Sequence, residues 1–79
     1  MEFTETQRAI LYNAWLLARD GNGQVVQDEA VPDAHWLAEA GWLERRFEPN
    51  GDMSWWWSPQ AATALDVNGL MQAAQGREN

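Results

Sequence analysis

Side chains that usually carry catalysis are scarce in this chain. It has one histidine, His35, and neither cysteine nor lysine. Nucleophilic catalysis needs a nucleophile beside a base, and general acid-base catalysis needs a group that exchanges protons near neutral pH. His35 stands beside Trp36 with no such companion, so we expect a surface or helix-capping histidine. The sequence therefore predicts a protein that is not an enzyme and has no catalytic residue.

Carboxylates are plentiful, but their spacing matches no familiar metal or nucleotide site. The chain has twelve Asp and Glu residues, with no H-E-x-x-H pattern, no phosphate-binding loop and no dinucleotide fingerprint. Residues 20–23, Asp-Gly-Asn-Gly, begin like a calcium loop but lack its closing bidentate glutamate, so they predict a turn. We therefore expect no metal site and no cofactor.

A set of acidic residues is the first candidate binding site. Asp28, Glu29 and Asp33 are close together in the sequence, and Glu39 follows on the same predicted helix as Asp33. Most such sets are solvated surface. If this one is functional, it should bind arginine and lysine side chains of a partner that ordinarily holds phosphate groups.

The run of three tryptophans at 55–57 is the second candidate. Side chains alternate between the faces of a strand, so Trp55 and Trp57 should face the core and Trp56 the opposite side. Tryptophan and arginine are enriched at the centres of protein interfaces. The alternative is that the C-terminal helix covers this face. The residues of this second candidate site are Trp42, Glu44, Arg46 and Trp56.

The net charge of −7 argues against direct nucleic-acid binding, because DNA-binding surfaces display clustered Lys and Arg. The only adjacent basic pair is Arg45 and Arg46. An acidic surface can serve solubility alone, or it can present a field like that of nucleic acid to a basic partner. Glu2 and Glu5 stand where a signal peptide would be basic, and no apolar run is long enough for a membrane span. We expect a cytoplasmic protein without membrane contact.

The sequence predicts that helices position these residues on either side of a hairpin. Thr4 and Gln7 are spaced as a capping box for a first helix over residues 4–19. The apolar stripe of this helix is Ile10, Leu11, Ala14, Leu17 and Ala18. Tyr12 and Leu16 lie opposite the stripe, where the C-terminal helix or a second copy of the protein would cover them, so the protein is a monomer or a homodimer.

The remaining helices are shorter. Residues 24–31 predict a short strand or an extended segment, and a second helix begins near Pro32, ends at Gly41 and has Trp36 on its apolar side. Ser58 and Pro59 predict the start of a third helix. We expect that helix to weaken at residues 66–69 and to resume over 70–75, as one kinked helix or two short ones, and we expect residues 76–79 to form a frayed tail. All 79 residues belong to one domain.

The hairpin at residues 42–58 is predicted in detail. The run Glu-Pro-Asn-Gly-Asp at 48–52 has the chemistry of a type I turn followed by a bulge with a left-handed glycine at Gly51. This turn pairs Phe47 with Met53, Arg45 with Trp55 and Leu43 with Trp57 on one face, which we expect to be the core face. The predicted fold class is α+β, with helices packed on a two- or three-stranded antiparallel sheet.

Two segments resemble the winged helix-turn-helix family. Residues 36–46, Trp-Leu-Ala-Glu-Ala-Gly-Trp-Leu-Glu-Arg-Arg, are similar to the family's entry into the wing, and residues 55–65 to its exit. The resemblance implies a winged-helix scaffold. DNA-binding members have two helices before the wing, whereas residues 21–40 leave room for one, and that helix and the wing tip are acidic. The usual DNA function therefore looks abandoned.

By size and acidity the chain resembles phage-encoded anti-CRISPR proteins. That resemblance implies an inhibitor that binds a basic, nucleic-acid-handling complex of a host bacterium and blocks nucleic-acid access. The alternative function is a winged-helix transcription regulator or accessory factor that binds duplex DNA through Arg45 and Arg46.

Overall fold

The described structure, a computed structural model, covers residues 3–70 and confirms the α+β class. Its elements in chain order are α1 (Glu5–Arg19), a 3₁₀ turn (Asp28–Ala30), α2 (Val31–Glu39), β1 (Leu43–Phe47), β2 (Met53–Trp57) and α3 (Pro59–Ala64). Helical backbone resumes at residues 67–70. The predicted helix over 71–75 and the predicted tail at 76–79 lie outside the described residues. None of the helices within residues 3–70 has the length and apolar character needed to cross a membrane.

Helix α1 begins with the predicted capping box. The Gln7 N–H donates to Thr4 Oγ1 (3.1 Å), and the Thr4 N–H donates to Gln7 Oε1 (3.0 Å). Ile10, Leu11 and Ala14 are buried as predicted, whereas the later stripe residues at 17 and 18 are only half-buried. The start of α1 is therefore the end that packs most deeply on the core.

The segment between α1 and the 3₁₀ turn joins the sheet at one residue. The Gln24 N–H donates to the Trp55 carbonyl, and the Trp55 N–H donates to the Gln24 carbonyl (both 2.9 Å). Val25 is 78% exposed. The sheet is thus two-stranded with one additional bridge, and β2 lies between β1 and Gln24.

The hairpin has the predicted turn and register. Leu43 pairs with Trp57, Arg45 with Trp55, and Phe47 with Met53. At the turn the Gly51 N–H donates to the Glu48 carbonyl (2.9 Å), and Gly51 has a φ of +90°, which a residue without a side chain adopts readily.

The predicted core face of the hairpin is wrong at its turn end. Leu43 and Trp55 are buried, but Phe47 is 73% exposed and Arg45 is exposed too. The helices cover the open end of the hairpin and leave the turn end bare, so alternation along the strand does not by itself bury a side chain. The buried apolar core comprises Ile10, Leu11, Ala14, Ala34, Leu37, Trp42, Leu43, Trp55, Ala61 and Leu70.

Candidate protein interface

Two carboxylates of the predicted acidic set lie on the 3₁₀ turn. Asp28 and Glu29 are both exposed, and within residues 3–70 neither side chain has a hydrogen-bond or ion-pair partner. The turn leads directly into α2, so both charges lie near the positive end of the α2 dipole, which favours them. They are solvated charges on a backbone that is hydrogen-bonded at both ends: the Ala30 N–H donates to the Gln27 carbonyl and the Val31 N–H to the Asp28 carbonyl.

The other two members of the acidic set are placed differently. Asp33 is half-buried, and its Oδ1 accepts a hydrogen bond from Gln7 Nε2 (3.2 Å), which links α2 to α1. Glu39 is exposed at the last residue of α2, about 9 Å along the helix axis from Asp33. The structure therefore leaves Asp28 and Glu29 as the pair that a partner can reach together.

A cleft of about 340 Å³ lies between the 3₁₀ turn and the hairpin. Asp28 and Asp52 contribute carboxylates to its lining, and Val31, Met53 and Trp55 contribute apolar surface. Asp52 was not predicted as a site residue. Its place beside the hairpin turn was evident from the sequence, but no local pattern indicated that residues 25–31 would fold across from it. An apolar cleft with two carboxylates suits the stem and head of an arginine or lysine side chain.

His35 forms one wall of this cleft and is bonded to a cation. Its Nδ1 lies 3.2 Å from Arg45 Nη1, and its ring meets Trp55 edge-on, with centroids 4.9 Å apart. Arginine can only donate, so Nδ1 is the acceptor and a neutral His35 carries its proton on Nε2. His35 holds the Arg45 guanidinium beside α2, and no carboxylate bonds to either side chain within the described residues.

Three of the four residues of the second candidate site contact one another in the structure. Arg46 Nη2 lies 3.4 Å from Glu44 Oε1, and the Arg46 guanidinium carbon lies 4.1 Å from the centre of the Trp56 ring. Trp56 Nε1 donates to Ser54 Oγ (2.9 Å), which donates to Glu48 Oε1 (2.7 Å). Trp56 is half-buried. These contacts form a connected row along one face of the hairpin, in which the exposed Arg46 side chain stacks on Trp56.

Trp42 does not belong to that row, and its prediction as an interface residue is corrected. It is only 6% exposed, and its ring meets Phe3 edge-on, with centroids 6.2 Å apart. The chain reaches Trp42 directly after Gly41, before β1 begins, so the alternation of the strand does not control its direction. The tryptophan with the most accessible surface is Trp36, at 48%, which was predicted on the apolar side of α2. The predicted apolar side of α2 is therefore buried at Leu37 but not at Trp36, which Phe3 covers only from one side.

Within residues 3–70 no group of three or more His, Asp or Glu side chains is arranged to hold a metal ion. Comparison of the chain with protein-family models, curated proteins and solved structures found no match in any of the three.

Proposed function

We propose that this protein is a non-enzymatic inhibitor that binds a basic, nucleic-acid-handling partner and blocks nucleic-acid access to it. The observation that carries the proposal is the pair of exposed carboxylates, Asp28 and Glu29, that have no partner within residues 3–70. They lie beside the cleft that Asp28 and Asp52 line. A cationic side chain entering there would meet two carboxylates and an apolar wall.

Whole-chain electrostatics support the same choice of partner. A net charge of −7 repels nucleic acid and attracts surfaces that ordinarily bind phosphates, which raises the rate of encounter with them. Because Asp28 and Glu29 form no internal ion pair among the described residues, a partner does not have to break one in order to bind them.

A winged-helix origin of the scaffold is part of the proposal. The resemblance implies a helix, an extended segment, a helix and a hairpin, and the chain has its elements in this order. DNA-binding members of that family have one more helix before the wing. In this chain the three-residue turn Asp28–Ala30 stands in its place. An acidic turn at that place would convert a DNA-binding scaffold into a mimic of DNA. Among known classes, anti-CRISPR inhibitors acting in the cytoplasm of a host bacterium fit this description.

The adjacent pair Arg45 and Arg46 favours a second candidate function, a winged-helix regulator that binds duplex DNA. Both residues are exposed on β1. Against it, Arg45 is bonded to His35, and Arg46 is engaged by Glu44 and Trp56. Phosphate binding would therefore compete with contacts that both guanidinium groups already make.

Affinity capture from a bacterial lysate tests the proposal. The tagged protein is compared with the Asp28→Asn/Glu29→Gln variant, and the captured material is identified by mass spectrometry and checked for nucleic acid. We expect a basic nucleoprotein complex to be captured by the unaltered chain and lost with the variant. The matched control is Asp20→Asn/Glu39→Gln, which removes the same amount of charge from exposed positions elsewhere and should retain capture.

Two results would contradict the proposal. The first is equal capture by both double variants, which would show that charge at the 3₁₀ turn does not matter. The second is retardation of duplex DNA by the protein alone at low salt, abolished by Arg45→Ala/Arg46→Ala, which would support the regulator instead.

A further inference from the structure

Strand β1 has one free edge within the described residues. Trp55 uses both its N–H and its carbonyl to pair with Gln24 on the far side of β2. In an antiparallel ladder, Trp55 and Arg45 must then be a pair without hydrogen bonds between them. The ladder bonds of β1 therefore belong to Glu44 and Arg46, and the backbone groups of Leu43, Arg45 and Phe47 point away from the sheet.

This edge is open to solvent over most of its length. All residues of β1 except Leu43 are exposed, whereas β2 has no exposed residue. Natural proteins usually protect such edges with a proline, a bulge or a covering segment. β1 contains no proline, and its pairing with β2 is regular from Leu43 to Phe47. Its exposed charges are a partial protection, and Phe47, at 73% exposure, offers apolar surface at the end of the edge.

We propose that β1 binds β1 of a second copy of this chain, antiparallel, about a two-fold axis at Arg45, to form a four-stranded sheet. In this register Glu44 of each copy faces Arg46 of the other, and Leu43 faces Phe47. The sequence Leu-Glu-Arg-Arg-Phe is thus complementary to itself in charge and in apolar character. The axis falls on Arg45, whose N–H and carbonyl point away from β2. The Arg45 residues of the two copies can therefore exchange both backbone hydrogen bonds.

Neighbouring registers are less favourable. An axis at Glu44 or at Arg46 places that residue opposite its own copy, which sets like charges against each other on the face that carries the Glu44–Arg46 ion pair. With the axis at Arg45, the two Arg45 side chains are the ones that face each other. Each guanidinium is bonded to His35 Nδ1 on α2 of its own chain, and this bond holds it beside α2. The charge pattern therefore selects one register.

The proposed contact is short, so the dimer should be weak. The outward-pointing pairs span about 17 Å of strand. The Arg45 pair at the axis joins two exposed residues, whereas each of the two flanking pairs includes Leu43, which is only 3% exposed. A patch of this size falls below a standard stable interface. We therefore expect a monomer–dimer equilibrium that depends on protein concentration. This inference is independent of the proposed function, because it concerns a different surface and needs no partner protein.

Sedimentation equilibrium of the full chain over a series of concentrations tests the proposal. We expect the unaltered protein to dimerise and each single variant, Glu44→Arg or Arg46→Glu, to be monomeric. Residue 44 of each copy faces residue 46 of the other, so either change sets like charges against each other at both of these contacts. The double variant Glu44→Arg/Arg46→Glu restores opposite charges and should restore the dimer. An unaltered chain that is monomeric at every concentration, or single variants that dimerise as well as the unaltered chain, would overturn it.

A backbone variant provides a second test that does not depend on charge. Arg45→Pro removes the outward N–H at the axis and leaves the ladder bonds of Glu44 and Arg46 to β2 intact. We expect this variant to be monomeric with an unchanged circular dichroism spectrum. If it keeps its fold and still dimerises, β1 is not the interface.

Discussion

The Ser58 hydroxyl group joins the start of α3 to Gly41, which lies just after the end of α2. Its Oγ donates to the Gly41 carbonyl (2.7 Å) and accepts from the Ala61 N–H (3.0 Å), and the residue is 4% exposed. The Ser58 hydroxyl thus caps α3 and fixes the start of α3 to the end of α2. The cap was predicted from the Ser-Pro pair, but the bond to Gly41 was not, because it spans seventeen residues of sequence.

Replacing Ser58 by Ala should lower the free energy of unfolding by about 2 kcal/mol, because it removes a cap and leaves the half-buried Gly41 carbonyl without its donor. Urea denaturation followed by tryptophan fluorescence measures the loss. Thr63→Ala is the matched control, since Thr63 Oγ1 also donates to a backbone carbonyl, that of Pro59 (3.1 Å), but at an exposed position. Its effect should stay below about 0.5 kcal/mol, and similar losses for both variants would contradict the assignment.

Gly23 is required by the close approach of Trp56. A Cβ atom at this position would lie 2.7 Å from Trp56 Cε2 and 2.9 Å from the Ser54 Cβ. Gly23→Ala should therefore displace the indole, weaken its bond to Ser54 and destabilise the fold by about 1–3 kcal/mol. The indole N–H resonance of Trp56 in the NMR spectrum should shift.

A double-mutant cycle provides the control for Gly23. In a Trp56→Leu background the clashing ring is absent, so Gly23→Ala should cost clearly less than it does in the unaltered chain. The same cost in both backgrounds would show that the Ser54 Cβ or the backbone of residue 23, and not the indole, is responsible.

At the scale of elements, the residue pairs of the hairpin could be predicted from the sequence, whereas the residues that are buried could not. The turn chemistry around Gly51 determines the register locally, and all predicted pairs are present. Burial depends on which part of the sheet the helices reach, which no local pattern specifies. This is why Phe47 is exposed while Trp42, just outside β1, is in the core.

Gln7 connects two helices as well as capping one. It completes the capping box with Thr4, and its Nε2 donates to Asp33 on α2. Thr4→Ala should cost about 1 kcal/mol, and Gln7→Ala about 2 kcal/mol because it also removes the link between helices. Thermal or urea unfolding measures both.

The partner variant Asp33→Ala separates the two contributions of Gln7. We expect it to couple with Gln7→Ala, so that the two losses are not additive, and to add independently to Thr4→Ala. Additive losses for Gln7 and Asp33 would mean that the bond between α1 and α2 contributes nothing to stability.

At the scale of the whole molecule, the charge imbalance should make stability depend on salt. The chain carries −7, and the only ion pair found within residues 3–70 is that between Arg46 and Glu44. Added salt screens more repulsion than attraction, so the melting temperature should rise with sodium chloride. A gain of about 1 kcal/mol corresponds to roughly 4–8 °C in a domain of this size.

The Asp28→Asn/Glu29→Gln variant is the control for this salt effect. It has two fewer negative charges, so its melting temperature should rise less steeply with sodium chloride. A melting temperature that falls with added salt would mean that attractive charge pairs dominate the fold.

The function was less predictable than the fold, for a physical reason. Turn and cap chemistry are local, so the capping box at Thr4 and the turn at Gly51 could be identified in the sequence. A binding surface combines residues from distant segments. Asp28 meets Asp52 across a cleft, and Arg45 meets His35 between elements, and neither pairing follows from spacing along the chain.

The alternation along β1 has a consequence for amide hydrogen exchange. In the monomer the Glu44 and Arg46 amides, which donate to β2, should exchange slowly, and the exposed Arg45 and Phe47 amides should exchange at rates near those of an unfolded peptide. The Trp55 amide, bonded to Gln24 at the centre of the sheet, should exchange slowly at any concentration. As protein concentration increases, protection should appear only at those amides of β1 that point away from β2. The exchange rates of the five residues of β1 would therefore show which edge binds the second copy.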